Sequence, residues 1–580
     1  MQKDLVVQLI GGLYSISTPL QFGPQDSGFN GYTVRYEAQG AAPVVISGGV
    51  PILNWTLNDS TKNIYQAKVP SGFDTRQLYV NGVRASRARL VIQAPTPGNP
   101  ILGGGAKATI DGYAITIPNM TSWSNVKNIE AVTNSWWVQQ RCPVDSITSG
   151  QIMIQNPCWA LANATNRIVG MKNGINWLEN NYAFLNESGQ WYLDRSANLI
   201  YYIPRPAENL TTATVVASAA EQLITGSGSL DSSGNPQFVQ NITFQGLTFA
   251  YTTWLQPNTS MGFAEIQSGE YSTAVPDTAT TRFLIPGAVR FSRAKNITFT
   301  LNQFVHLGGA GLNIDTGSQN MVIQGNVFSD ISAGGITVGD PDDNLEQNPK
   351  LQSVGHAINN NYLTQTGAEY AGTASLLILY TADTVIQNNE IANAPYTGLS
   401  IGWGFGASSY AANNQVNQNY VHDVVQTLFD GGGIYTLGSG SGTTLRGNYV
   451  TNVGNSSNCA QANAYVNGYS GYAGIYHDDA SDQYRDSGNV VRNVACGGYW
   501  VFLQPGVTNV ELTSNYVDVD LAFLCPGGHS GPSSCLNSTS NSITSLTVFG
   551  SAPTTAAQGV MSNAGLTSPY QNIKSGIFSF

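Results

Sequence analysis

Two short segments of the 580-residue sequence combine an acidic residue, a glycine-opened apolar run and a tyrosine. They are Phe429-Asp430-Gly431-Gly432-Gly433-Ile434-Tyr435 and Gly474-Ile475-Tyr476-His477-Asp478-Asp479. Both lie in a stretch that repeats itself, in neighbouring repeats. Carboxylates held on adjacent rungs of a rigid stack can act as a pair on one acetal bond, one giving a proton while the other attacks or activates water. Aspartate beside glycine is also ordinary turn composition. The chemistry therefore depends on a scaffold that puts both side chains on one face.

The repeat supplies that scaffold. An apolar residue, two polar or small residues and an asparagine recur as Phe299 to Asn302, Ile323 to Asn326, Ile358 to Asn361, Ile386 to Asn389, Val416 to Asn419, Leu445 to Asn448, Val490 to Asn493 and Leu512 to Asn515. The asparagines lie roughly 22 to 35 residues apart with one longer gap, the spacing of a solenoid coil. A second apolar run, usually opened by glycine, follows each: Gly311 to Ile314, Gly335 to Val338, Gly398 to Ile401, then the two segments above. This pattern predicts an all-β fold, a right-handed parallel β-helix with an inserted β-rich subdomain. Asparagine tolerates a left-handed corner and its side chains can stack in a ladder; alternate apolar residues fill the coil, and the residues between them face outward at about 4.8 Å per rung. A face-packed sandwich would not hold asparagine in one register.

Residues 1–77 read as N-terminal β segments and first coils. Residues 78–216 lack the repeat and cluster Trp136, Trp137, Trp159, Trp177, Trp191 and Tyr192, as an inserted subdomain with its own aromatic core would. Residues 217–540 form the β-helix, with 451–473 as a loop over its face, and 541–580 a tail packing on the helix.

Charged residues make up only 10% of the chain and the net charge is -11, which opposes nucleic acid and anionic membranes as partners. No apolar run reaches the roughly 18 residues of a membrane span. Asn-x-Ser/Thr sequons recur from Asn54 to Asn537, and the six cysteines never take a C-x-x-C zinc spacing. Both features fit a secreted, extracellular glycoprotein with disulfide bonds, no metal and no cofactor. Local spacing pairs Cys142 with Cys158, Cys459 with Cys496 and Cys525 with Cys535.

The chain resembles the right-handed parallel β-helix glycoside hydrolases, most closely those of glycoside hydrolase family 141 and more distantly family 120. The likeness runs nearly end to end, through Asp26-Ser27-Gly28, Arg76-Gln77-Leu78-Tyr79-Val80-Asn81-Gly82, Trp177-Leu178-Glu179-Asn180, Gly189-Gln190-Trp191-Tyr192-Leu193-Asp194 and Leu199-Ile200-Tyr201-Tyr202. It implies that Asp430 and Asp478 are the two catalytic acids, in an order left open. Asp478 also matches the nucleophile-bearing strand of the more distant family, but the glutamate expected one coil later is replaced here by Phe502-Leu503-Gln504.

Register is the test of that pair. Aligning Gly433 with Gly474 separates the aspartates by about seven strand positions, some 20 Å, too far to flank one bond. Counting eleven residues from each coil asparagine instead brings them within about 8 Å and leans towards inversion of configuration. The second register is the one expected. Around the pair, Asp479, Glu369, Trp403, Tyr435, Tyr476 and His477 are candidate substrate-binding residues. His477 points into the coil by alternation, where it would be a core residue or orient an acid. Aspartates 315, 340, 342 and 343 read as solvated turns. The sequence thus points to hydrolysis of a glycosidic bond in a plant or microbial polysaccharide or oligosaccharide. The competing readings are a lyase or epimerase on uronic acid polymers, and a non-catalytic carbohydrate-binding β-helix.

Overall fold

The computed structural model describes the chain except residues 93–105, 165–168, 276–280, 405, 407–408, 463–469, 526–528, 537–539 and 579–580, and gives only the backbone of 345, 461, 525, 529 and 535. The fold is a right-handed parallel β-helix. Each coil contributes three short strands, for example Val322–Gln324, Val327–Ile331 and Ile336–Val338, and each strand pairs in parallel with its equivalent one coil later. The coil interior is a continuous apolar stack that includes Ile323, Ile358, Ile386, Val416 and Leu445.

The corner between the first two strands of each coil carries an asparagine ladder. Asn302, Asn326, Asn361, Asn389, Asn419, Asn448, Asn489 and Asn515 are joined Nδ2 to Oδ1 at 2.9–3.1 Å, and each is buried. Each side chain also satisfies backbone groups that the corner strips from the strands, as Asn326 does by accepting from the Asn302 amide and donating to the Phe299 carbonyl. Two sequence expectations are corrected here. The ladder residue in the seventh coil is Asn489, not Asn493, and the left-handed backbone falls on the residue before each ladder asparagine: Leu301, Gly325, Asn360, Asn388, Gln418, Gly447, Gly488 and Ser514 all have φ between 52° and 67°. The asparagine is needed for its amide rather than for its backbone.

After Ser47 the chain leaves the helix, and it rejoins at Ile224–Ser227, which pairs in parallel with Leu20–Phe22. Between these points lie separate sheets. Strand Gly49–Pro51 pairs with Val215–Ser218 and Ile64–Lys68 with Leu199–Tyr202, so residues ahead of 78 already belong to the sheets outside the helix. The largest of them, seven-stranded, encloses a core that includes Tyr113, Trp159, Met171, Leu178 and Tyr192. Disulfides Cys142–Cys158 and Cys459–Cys496 form as expected; the Cys525 and Cys535 side chains lie outside the described residues.

The C-terminal segment completes a last pair of strands, Ser542–Thr544 and Thr547–Val548, and then turns back along the helix. It bonds Gln418 through the Gly565 amide, Asn388 through the Gly565 carbonyl, Asn360 through Thr567 and Gln303 through Gly576 and Phe578.

Candidate active site

Parallel pairing aligns Leu377, Ser400, Tyr435, Tyr476, Phe502 and Phe523 in one row on the third face. The residues beside them in each strand, such as Ile434, Ile475 and Val501, fill the coil, so alternation turns the row outward. Its aromatic members lie ring by ring: Tyr435 and Tyr476 at 5.1 Å between centroids, Tyr476 and Phe502 at 4.2 Å, Phe502 and Phe523 at 4.2 Å. All four are buried.

The aspartates sit at opposite ends of this aromatic pair. Asp478 follows strand Tyr472–His477, two positions beyond Tyr476 on the same side, where a diagonal neighbour on the adjacent strand can reach it. That neighbour is Tyr435, whose hydroxyl donates to Asp478 Oδ2. Asp430 precedes strand Gly431–Thr436 in a left-handed bend, φ 63°, with its amide bonded to the Gly471 carbonyl. Its Oδ1 accepts from the Tyr476 hydroxyl at 2.8 Å and its backbone carbonyl from the Tyr396 hydroxyl at 2.8 Å.

The observed register, Tyr435 beside Tyr476, is the one that sequence counting set aside. The register expected to bring the pair within about 8 Å is therefore not the one the coils adopt. Asp430 lies outside the extended strand, in the bend, and two phenols span the remaining gap, each bonding the carboxylate of the other coil's segment. Burial, then the nearby charge of Asp430, push the Asp478 carboxyl up to about 7, against the opposing hydrogen bond from Tyr435. Burial followed by the two aspartates raises Tyr396 well above the usual phenol value, and burial with Asp478 does the same to Tyr435, so both stay protonated as donors.

A third carboxyl, absent from the sequence reading, lies near Tyr396, the phenol that bonds the Asp430 carbonyl. Glu265 is fully buried and accepts from the amides of Gln139, at 2.6 Å, and Gly269, at 2.9 Å. Burial outweighs those bonds and pushes its carboxyl up to about 8. Two residues on, Gln267 donates to the Tyr435 hydroxyl at 3.1 Å. No motif surrounds Glu265; only its tertiary burial marks it out.

The other sequence candidates fall elsewhere. Asp479 is exposed at the rim. Trp403 is buried against Tyr380 and Leu437 in the packed stripe of the third face. His477 faces the coil interior and bonds Asp486 at 2.9 Å and Thr436 at 2.8 Å, so it does not reach the outer face. Glu369 is held away from the aspartates by Arg76 and Gln77, at the seam between the inserted sheets and the coils. Asp315 and Asp343, read as solvated turns, are buried instead, and burial pushes them up to about 6 and about 7. Residues 463–469 of the loop expected over the face lie outside the described residues.

Neither the protein-family models nor the curated proteins contain a match to this sequence. Among solved structures, one described as a glycoside hydrolase matches over 98% of this chain and 92% of its own, at 22% identity and a TM-score of 0.70. A complex of XylC with xylose matches over 89% of this chain and 65% of its own, at 11% identity and a TM-score of 0.43. The first of these shares the whole architecture, inserted sheets included in its coverage.

Proposed function

We propose that the protein is a glycoside hydrolase that uses Asp430 and Asp478 as its catalytic pair. The observation that carries this reading is the linked arrangement Asp430–Tyr476 and Tyr435–Asp478, with the Asp478 carboxyl raised to about 7 beside a second carboxylate. A carboxyl raised by burial and by a neighbouring charge suits the acid's role and leaves the other role to its partner. Asp478, protonated up to neutral pH, gives its proton to the departing glycosidic oxygen. Asp430, bonded by a phenol that stabilises the anion, is the nucleophile or the base that activates water. The end-to-end likeness to a solved glycoside hydrolase supports the class of reaction.

The sequons and two disulfides support action outside the cell. Aryl glycosides of fucose, xylose, galactose and arabinose, followed by polysaccharide digests, identify the sugar. On the substrate so found, Asp430→Asn and Asp478→Asn should each lower turnover at least about a hundredfold with folding intact. Near-normal activity in both variants removes this site from consideration. The anomer of the first product then reads the working separation of the carboxyls, about 5 Å for retention and about 6.5–9.5 Å for inversion. Release of unsaturated, ultraviolet-absorbing ends would instead mark a lyase.

A further inference from the structure

The inserted sheets meet the coils through charge. Arg76 forks onto both oxygens of Glu130 at 2.7 and 2.9 Å and reaches Glu369 at 2.6 Å. Arg87 bonds Glu179 and Glu130, and Arg141 bonds Glu179. A fourth arginine of the same cluster, Arg89, bonds no carboxylate among the described residues. Its Nε is buried with no partner, and its guanidinium lies over the Trp177 ring, 5.0 Å from the centroid. The ring is fixed in turn, since its Nε1 donates to Glu179 at 2.8 Å. Four guanidiniums, of Arg76, Arg87, Arg89 and Arg141, thus face three carboxylates, of Glu130, Glu179 and Glu369, and the seam carries one positive charge over. Glu265, the next acid near Arg141, does not cancel it, because burial keeps that group protonated at neutral pH.

Beside Arg89 the seam opens into a cavity of about 500 Å³, within the roughly 300–1,000 Å³ of small-ligand sites. Arg89, Trp177 and Gln139 line the side of the inserted sheets, and Gln365, Asn393 and Gln426 line the coil corners opposite. A guanidinium held over an indole is restricted in its orientation and suits a planar, two-oxygen anion. Across the cavity the Gln365 amide and the side-chain oxygens of Asn393 and Gln426, whose nitrogens bond Thr364 and the carbonyls of Val424, Asn452 and Gly454, suit hydroxyl groups. We propose that this cavity is a binding site for an acidic sugar, in which Arg89 pairs with the carboxylate of a uronic acid residue and the facing amides hold its hydroxyls. The substrate would then be an acidic polysaccharide, gripped at a uronate away from the cleaved bond. This deepens the glycosidase reading and rests on it for the role of the site, though binding itself needs no turnover.

Calorimetric titration of the intact protein tests it, with an oligogalacturonate trimer and a glucuronate-bearing xylo-oligosaccharide as probes, and with their carboxyl-reduced forms and inorganic sulfate as controls. At least one acidic probe should bind, more weakly as salt rises, and its neutral form should bind at least about tenfold more weakly. Arg89→Gln should remove a similar factor while moving the unfolding midpoint far less than Arg76→Gln does, because Arg89 makes no direct bond to a seam carboxylate among the described residues and acts on Glu179 only at a distance; Arg89→Lys should retain part of the binding. Asp478→Asn should bind the acidic probe like the unaltered protein, which separates this site from the catalytic one. Equal binding of acidic and neutral probes, no binding of either, or affinity unchanged in Arg89→Gln would overturn the proposal. Sulfate binding as tightly as the uronate would reduce the cavity to a simple anion site and overturn the sugar assignment.

Discussion

Two groups of buried acids in this molecule respond to burial in opposite ways. At the seam, burial by itself would raise Glu179, yet Arg141 and Arg87 pull it down to about 2; Glu130 is lowered by Arg76 and Arg87, and Glu369 by Arg76, Arg141 and Arg87. On the third face, Asp478 is bonded by a phenol and lies near Asp430, with no guanidinium bonded to it among the described residues, and its carboxyl rises to about 7. The contrast separates architecture from chemistry. Acids saturated by arginine hold two parts of a protein together, whereas an acid held by a weak donor beside another acid keeps a proton that can be given away.

The largest effect expected from breaking this contrast is at the seam. Arg76→Gln leaves Glu130 and Glu369 short of a buried partner and should cost about 3–5 kcal/mol in denaturant unfolding, while activity per folded molecule persists. A cost below about 1 kcal/mol would mean that the ionic seam does not hold the inserted sheets.

Next is the pH dependence of stability, where the two regions pull in opposite directions. The folded pKa of Glu179, about 2, lies below its unfolded value, so its contribution is present above about 4.5 and is lost as pH falls. The folded pKa of Asp478, about 7, lies above its unfolded value, so its contribution is present below about 4 and is lost as pH rises towards 7. Asp478→Asn should flatten the second decline by up to about 4 kcal/mol and leave the acid side unchanged. Unfolding curves from pH 3 to 8 that superimpose for the two proteins would contradict the raised value.

The smallest effects sharpen the active-site half of the comparison. With Asp478 as proton donor, activity falls as pH rises through about 7. Asp430→Asn should move that limb to lower pH in whatever residual activity remains, because it removes a neighbouring charge. Tyr435→Phe should move it to higher pH, because it removes the hydrogen bond that favours the anion, and should cost about 1 kcal/mol in kcat/KM. Shifts of the same sign in both variants would exclude Asp478 as the titrating group.

The coils were readable because their demands recur. An inward aliphatic and a corner asparagine are required once per rung, so seven of the eight ladder positions carry the pattern in the sequence itself. The exception has a cause: in the seventh coil Asp486 occupies the inward position that Leu445 and Leu512 hold in its neighbours, which hides Asn489. Asp486 is tolerated there because His477, inward on another strand of the helix, bonds it at 2.9 Å. The aspartate pair was legible as residue types, but the bend at Asp430 was not, since a left-handed aspartate leaves no periodic trace. Glu265 and the arginine seam were beyond reach, because their partners lie far away along the chain: Arg76 and Glu369 are 293 residues apart.

A stack of coils joined only to their neighbours can fray from either end, one rung at a time. The returning C-terminal segment changes that, since one continuous stretch grips rungs at Gln418, Asn388, Asn360 and Gln303. It behaves as a lashing across planks: no single rung can peel away without loosening the fastening shared by the others. Because this stretch leaves the ribosome after every coil it binds, the lashing is tied only after those coils exist, and along its own length it meets the coil of Asp430, at Gln418, before the earlier coil of Gln303.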